Sequence, residues 1–113
     1  MKNKILSLSK NEDFKSLLSG KKYSNKYLTI FFKKLSDKDN NKLNISFVTK
    51  KKIGNAVRRN KIKRRLRNIM NDAIKTINMN LNYSYLFIAK KNIYDASYKM
   101  IKDSIFKDLT KVQ

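Results

Sequence analysis

An α+β fold, with helices packed on a small mixed sheet of about four strands, is predicted by three observations on this sequence. Residues 27–32, 43–47 and 83–89 are short runs rich in β-branched and aromatic side chains, the composition of strands. Residues 62–77 instead repeat apolar side chains at helical spacing. These stretches follow one another as helix, two or three strands, helix, strand, helix, the order α-β-β(-β)-α-β-α of helices laid against one sheet. With 113 residues, no internal repeat and no linker, residues 1–113 are expected to form one domain.

The first helix is predicted over 10–19. Ser9-Lys-Asn-Glu12 has the spacing of a capping box, in which the Ser9 hydroxyl accepts from the Glu12 amide and Glu12 reaches back. Phe14, Leu17 and Leu18 recur at helical spacing on its inner side, and Gly20 is placed to supply a left-handed residue after the last turn. Tyr27-Leu-Thr-Ile-Phe-Phe32 and Leu43-Asn-Ile-Ser-Phe47 flank a polar turn at 36–42 and are expected to pair antiparallel. Residues 21–23 add a short edge strand.

Asn55 is a suitable cap for a second helix, in which Ile62, Leu66, Ile69, Met70, Ala73, Ile74 and Ile77 mark one buried face. Tyr83-Ser-Tyr-Leu-Phe-Ile-Ala89 is nearly continuous in apolar residues. It fits a central strand covered on both faces and lying parallel to the Leu43 strand. Asn92 is expected to cap the last helix, with Tyr94, Tyr98, Ile101, Ile105 and Leu109 as its inward stripe.

Charge points to the partner. Lysine and arginine total 28 against 8 acids, a formal charge of +20, and self-repulsion of that size suits a protein whose partner is a polyanion. Residues 50–67 hold ten of these cations and no carboxylate. Opposite the buried arc of the second helix lie Asn60, Lys61, Arg64, Arg67, Asn68, Asn71 and Lys75. Arg58 and Arg59 fall near the apolar arc, so the start of the helix must project beyond the core. Cations in a first turn oppose the helix dipole at roughly 0.3–1 kcal/mol each. With no acid to form i, i+4 pairs, the cluster is better suited to a bound polyanion than to a solvated face. Free amides at the helix start, Gly54, and Lys50, Lys51 and Lys52 suit phosphate oxygens.

Other classes are excluded by composition. The chain has no cysteine and no histidine, which removes disulfides, thiolate and imidazole metal ligands, cysteine nucleophiles and histidine bases. No apolar run is long enough for a membrane span, and the amino terminus passes quickly into polar sequence, so a cytoplasmic location without membrane contact is expected.

The stretch Lys51-Lys-Ile-Gly-Asn-Ala-Val-Arg-Arg-Asn-Lys-Ile-Lys-Arg-Arg-Leu-Arg67 resembles the signature of the bacterial ribonuclease P protein component, the small basic subunit that assists a catalytic RNA in removing the 5′ leader of precursor tRNA. Leu8-Ser-Lys-Asn-Glu-Asp-Phe14 and the element order extend the resemblance over nearly the whole chain. One departure concerns the family's Arg-Asn-Arg core, which here reads Arg59-Asn60-Lys61; lysine keeps the charge but lacks the planar fork.

The resemblance implies that Asn55, Arg58, Arg59, Asn60, Lys61, Lys63, Arg64, Arg65 and Arg67 form the surface for the RNA subunit. It also implies a cleft between the first helix and the sheet that guides the single-stranded leader. Phe14 matches a cleft aromatic of the family, and Leu18 stands where an aromatic is also common. Phe31 would offer a stacking surface from the sheet, with Lys50, Lys51, Lys52 and Lys90 at strand ends beside it. Periodicity alone fits Phe14, Leu18 and Phe31 equally well to plain core positions. The family fold further implies a left-handed crossover through the basic helix, against the general right-handed rule.

A protein nuclease needs a base and nucleophile, or carboxylates holding metal near the phosphate. Glu12, Asp13, Asp37, Asp39, Asp72, Asp95, Asp103 and Asp108 all fall at helix-turn, loop or helix-surface positions. No protein-bound cofactor or metal and no catalytic side chain is therefore expected. The chemistry is assigned to the partner RNA and its Mg2+ ions, with precursor tRNA as substrate and no protein partner required. Two other functions fit composition alone: a ribosomal or other structural RNA-binding protein, and a DNA-binding protein reading a major groove with its basic helix. The motif favours the ribonuclease P reading.

Overall fold

The computed structural model describes residues 5–8, 10–36, 38, 39 and 41–112. The strands are β1 (Ile5–Ser7), β2 (Lys21–Ser24), β3 (Leu28–Lys33), β4 (Leu43–Val48) and β5 (Ser84–Ala89). The helices are α1 (Asn11–Leu18), α2 (Ala56–Thr76) and α3 (Tyr98–Thr110). Short 3-10 turns, Lys51–Ile53 and Lys91–Ile93, follow β4 and β5. The expected mixed sheet with helices is present, with β1 as a fifth strand. Only three residues long and half exposed, β1 carries no alternation that would reveal it in the sequence.

The sheet runs β1-β4-β5-β3-β2. β5 is parallel to β4, as its apolar run suggested, and β1 is parallel to β4 on the other side. The expected antiparallel pairing of the Tyr27 and Leu43 strands does not occur. β5 lies between them and pairs antiparallel with β3 along all of 28–33. The cause is burial: β5 is apolar on both faces, so it takes the centre and needs two neighbours. The 34–42 connection is also longer than the two to five residues that commit adjacent strands to a hairpin. The edge strand at 21–23 is found as β2, antiparallel to β3.

Alternation divides the core. On one face Ile30, Phe32, Ile45, Tyr85 and Phe87 pack with Ile62, Leu66, Ile69, Met70 and Ala73 of α2 and Ile101, Ile105 and Leu109 of α3. Phe32 anchors a ring cluster there, stacked on Tyr23 at 5.6 Å and edge-on to Tyr83 at 5.3 Å. The Tyr85 phenol, pushed well above its usual pKa by burial, stays neutral and donates to Asn80 O at 2.9 Å. On the opposite face Leu8 and Leu17 meet Phe31 and Leu86 beneath α1.

The handedness of the β4-α2-β5 crossover follows from one residue. Ile45 accepts from Leu8 N–H at 3.1 Å, so its carbonyl points to β1, while its side chain lies in the core shared with α2. For an L-residue this places β5 to the left of β4, seen from the helix side with β4 running upward. The crossover is therefore left-handed, the exception to the usual rule.

Helix ends differ from the sequence reading. α1 starts one residue later, with Lys10 at its N-cap and no side-chain cap; Ser9, like Asp37 and Asn40 of the predicted turn, lies outside the described residues. Gly20 does not have a positive φ. It is needed for close approach, because a Cβ there would stand 2.8 Å from Phe32 O and 3.0 Å from Lys33 Cβ. α3 is capped by Ser97, which accepts from Met100 N–H at 3.2 Å, not by Asn92. Asn92 sits instead in the second 3-10 turn, whose Ile93 is buried and holds the chain down before α3 can begin.

Candidate nucleic-acid interface

Parallel adjacency of β4 and β5 brings their carboxyl ends to one side of the sheet. Lys50, Lys51 and Lys52, exposed in the turn after β4, and Lys90, after β5, therefore share that side with the start of α2. Gly54 makes the entry to α2 at φ 157° and ψ −170°, a region close to glycine-only. Asn55 then caps α2 by accepting from Arg58 N–H at 3.0 Å, as its position predicted. Its side-chain oxygen is thus committed to the helix, which leaves only its amide NH2 for an outside partner.

The basic residues divide into three groups. Asn60, Lys63, Arg64 and Arg67 line one shallow outward recess of about 220 Å³, at i, i+3, i+4, i+7 spacing. Arg58 lies 4.4 Å over the ring of Tyr94, and Lys61 Nζ is 6.0 Å from the same ring. A Cβ on Gly54 would fall 2.7 Å from Arg58 Cδ, so the glycine also leaves room for that stacked arginine. Arg59, on the arc that is apolar further along, is half-buried, and its Nε has no partner among the described residues. A buried unpaired donor costs about 1–3 kcal/mol, a cost that ends if the guanidinium turns outward to a phosphate oxygen. Arg65 stands apart: with Ile62, Leu66, Ile93 and Ile101 it lines the seam between α2 and α3, its stem packed there.

The sheet face under α1 forms the second surface. Phe14, Val48 and Ile88 are partly open beside the buried Leu17, Phe31 and Leu86. Phe31 is 9 % exposed and so is mainly floor, with Lys22 Nζ 5.8 Å above its ring. Phe14 is the more open aromatic. Leu18 is 50 % exposed and outside this cluster, so the plain-core reading fails for it. Lys90 is held in place: its Nζ donates to Ser24 Oγ at 2.8 Å and Asn25 O at 2.6 Å.

Asn25 is the strut behind Lys90. Its Oδ1 accepts from the amides of Tyr27 and Leu28, and its Nδ2 donates to buried Asp108 at 2.8 Å, tying the β2–β3 turn to α3. Asn25→Ala removes all three bonds. A loss of about 2 kcal/mol in urea unfolding is expected. Unchanged stability would show that the turn is held by its backbone alone. Sequence reasoning missed Asn25, Lys22 and Tyr94. Lys22 was reachable, since it faces Phe31 across the β2–β3 pair; Tyr94 was assigned to the inward stripe of α3, which begins only at Tyr98.

Three of the carboxylates are held within the fold. Asp13 pairs with Lys38 at 2.6 Å and Asp72 with Lys102 at 3.2 Å, while Asp108 holds Asn25 and Lys111. Among the described residues no three acidic side chains gather where they would hold a metal ion. No helix is long and apolar enough to cross a membrane, again among the described residues.

Residues 2–113 match the family model described as Ribonuclease P. The ribonuclease P protein component of Fusobacterium nucleatum is 40% identical over 113 residues, covering 93% of this chain and 91% of the relative. That of Mycoplasma mycoides is 30% identical over 113 residues, 100% of both chains. Among solved structures, the Staphylococcus aureus RNase P protein superposes with a TM-score of 0.77 at 25% identity, over 94% of this chain and 93% of its own. The Thermotoga maritima RNase P protein shares the fold with a TM-score of 0.79 at 23% identity, over 96% and 98%.

Proposed function

The chain belongs to the ribonuclease P protein family, and from that premise we propose that it acts as the protein subunit of an RNA-based endonuclease, binding the catalytic RNA through α2 and the 5′ leader of precursor tRNA along the cleft under α1. The observation that carries this reading is the juxtaposition at the carboxyl ends of β4 and β5: a helix start with seven cations between Arg58 and Arg67 and no acid, next to a cleft floored by Phe31 and edged by Phe14, Lys50, Lys51, Lys52 and Lys90.

Each group has a distinct task. The Asn60, Lys63, Arg64 and Arg67 recess takes phosphates of the RNA subunit. Arg58 and Lys61, gathered at the Tyr94 ring, and the Arg59 guanidinium take further phosphates at the helix start. Lys61 contributes charge there without a bidentate fork. Phe14 gives a leader base a ring to stack on, and the strand-end lysines neutralise the leader backbone. Cleavage is assigned to the RNA and its Mg2+ ions, since the chain has no histidine or cysteine and, among the described residues, no acidic side chains gather to hold a metal. The protein acts as one unit over 1–113, in the cytoplasm, without a further protein partner.

The test adds the protein to a bacterial ribonuclease P RNA and a precursor tRNA at physiological magnesium. Faster removal of the leader is expected, and no gain would overturn the proposal. In the same assay Phe14→Ala is expected to weaken binding of precursor by about fivefold or more, the lower end of one lost stacking contact. Mature tRNA should be nearly unaffected, whereas equal losses for both would return Phe14 to a core role.

A further inference from the structure

A second cationic and aromatic recess lies at the other end of the sheet. It holds about 380 Å³ and is lined by Gly20, Lys21, Phe32, Lys33, Lys34 and Tyr83, together with Ser19. These residues come from the turn after α1, the start of β2, the end of β3 and the approach to β5. The six residues of β5 separate it from the carboxyl ends where α2 begins, about 20 Å at the usual strand rise. It is therefore neither the α2 surface nor the cleft under α1.

Three features give it a specific chemistry. First, no carboxylate lines it, and among the described residues none pairs with Lys21, Lys33 or Lys34. Three lysines without an ion-pair partner thus border one small space, with the Lys34 ammonium at its aromatic wall. Secondly, its wall is aromatic: Tyr83 packs at right angles to buried Phe32, ring centroids 5.3 Å apart, which braces the ring from one side. Thirdly, Lys34 Nζ sits 5.9 Å over the Tyr83 ring, the position a planar cation or a base would take. Gly20 keeps the floor close, since a side chain there would collide with Phe32 O.

A free phosphate would use the lysines and leave the ring idle; a duplex would offer phosphates but no base face. An unpaired nucleotide uses both, by stacking and by charge. We infer that this recess is a second RNA-binding site, taking one unpaired nucleotide with its base against Tyr83 and its flanking phosphates on Lys21, Lys33 and Lys34. The identity of the polymer rests on the function proposed above; the existence of the site does not. Engaging two points about one strand length apart raises the avidity for a single long RNA beyond either contact alone.

The test measures binding of oligouridylate to the full chain carrying Lys63→Ala, Arg64→Ala and Arg67→Ala, which silences the outward recess of α2. Adding Lys21→Ala, Lys33→Ala and Lys34→Ala is expected to flatten the dependence of log K on log salt by about 1.4, from the two phosphates that flank one nucleotide. Tyr83→Leu, which keeps an apolar side chain against Phe32, is expected to lower affinity by about fivefold or more. It should also abolish the preference for oligouridylate over polyphosphate. Thermal unfolding of the lysine variant, altered only at side chains that are not fully buried, controls for folding. An unchanged slope and affinity, or equal competition by polyphosphate or polyglutamate before and after Tyr83→Leu, would overturn the site.

Two arms locate the natural strand. With the otherwise native chain, a defect of the lysine variant that appears for long leaders and not for short ones assigns the site to the leader. A defect in binding the RNA subunit alone assigns it to that RNA. If the unaltered chain fails to stimulate cleavage, the ribonuclease P reading falls, while the oligouridylate measurement still decides the site.

Discussion

Replacing Lys63, Arg64 and Arg67 together by alanine is expected to weaken binding to ribonuclease P RNA on the order of a hundredfold at physiological salt, at about 1 kcal/mol per lost phosphate contact. These three side chains surround one recess with Asn60 and, among the described residues, have no acidic partner, so each is available to a phosphate without first breaking an ion pair. The slope of log K against log salt should flatten by about 2.7, because each phosphate contact in a duplex contributes about 0.9. Lys99→Ala with Lys107→Ala, two exposed lysines of α3, supplies the comparison. Loss through overall charge alone would appear there too, whereas loss through this recess leaves the α3 variant close to the original. Equal slopes for the α2 variant and the unaltered chain would place the RNA on another surface.

The second large effect is on folding. Leu66 is fully buried between α2 and the sheet, at the point where the basic helix is anchored. Leu66→Ala removes the side chain and leaves a cavity, at a cost of about 3 kcal/mol. For a domain of this size stability totals only about 5–15 kcal/mol, so the melting temperature should fall by roughly 10–20 °C. Leu18→Ala, half exposed at the end of α1, should change it by less than about 0.5 kcal/mol. RNA binding by Leu66→Ala should recover when excess RNA pulls the chain back to its folded form, which distinguishes a lost mount from a lost contact. A melting temperature within a few degrees of the original would mean that α2 is held mainly by its other apolar residues.

What could be read from the sequence depended on range. α2 was legible because its signals are local: Asn55 at the cap, then Ile62, Leu66, Ile69, Met70 and Ala73 repeating along one side. The central, doubly covered place of β5 was legible for the same reason. Its neighbours were not all legible, because which strand pairs with which is decided by competition among all of them. β5 satisfied β3, leaving β4 to find β1 on its far side. The start of α3 was misjudged because Asn92 and Ser97 are both good caps; burial of Ile93, a tertiary fact, selects the later one.

The candidate site divides in the same way. Asn60, Arg64 and Arg67 were legible from helical spacing, but that spacing put Lys61 with them, whereas Lys63 completes the recess and Lys61 lies beside Tyr94. Arg65 looked equivalent by charge, yet the approach of α3 turns its surroundings apolar. The stacking of Arg58 on Tyr94 joins residues far apart in the chain, and no local pattern announces it. Phe31 and Phe14 were both placed at the cleft, but their different exposure arises from how α1 lies over the sheet.

β2 has a further consequence, for life at high protein concentration. It is the outermost strand on its side of the sheet and presents Lys21, Lys22 and Ser24 outward. An outer strand offers unsatisfied main-chain groups on which a foreign strand can template, and the first step of amyloid-like stacking is such an addition. A second molecule approaching β2 edge to edge would have to bring its own lysines against these. In a chain of net charge +20, that repulsion blocks strand exchange at the position where the backbone would otherwise permit it. The lysines of this edge thus act as gatekeepers against self-association. Their protection weakens as added salt shortens the reach of the charges.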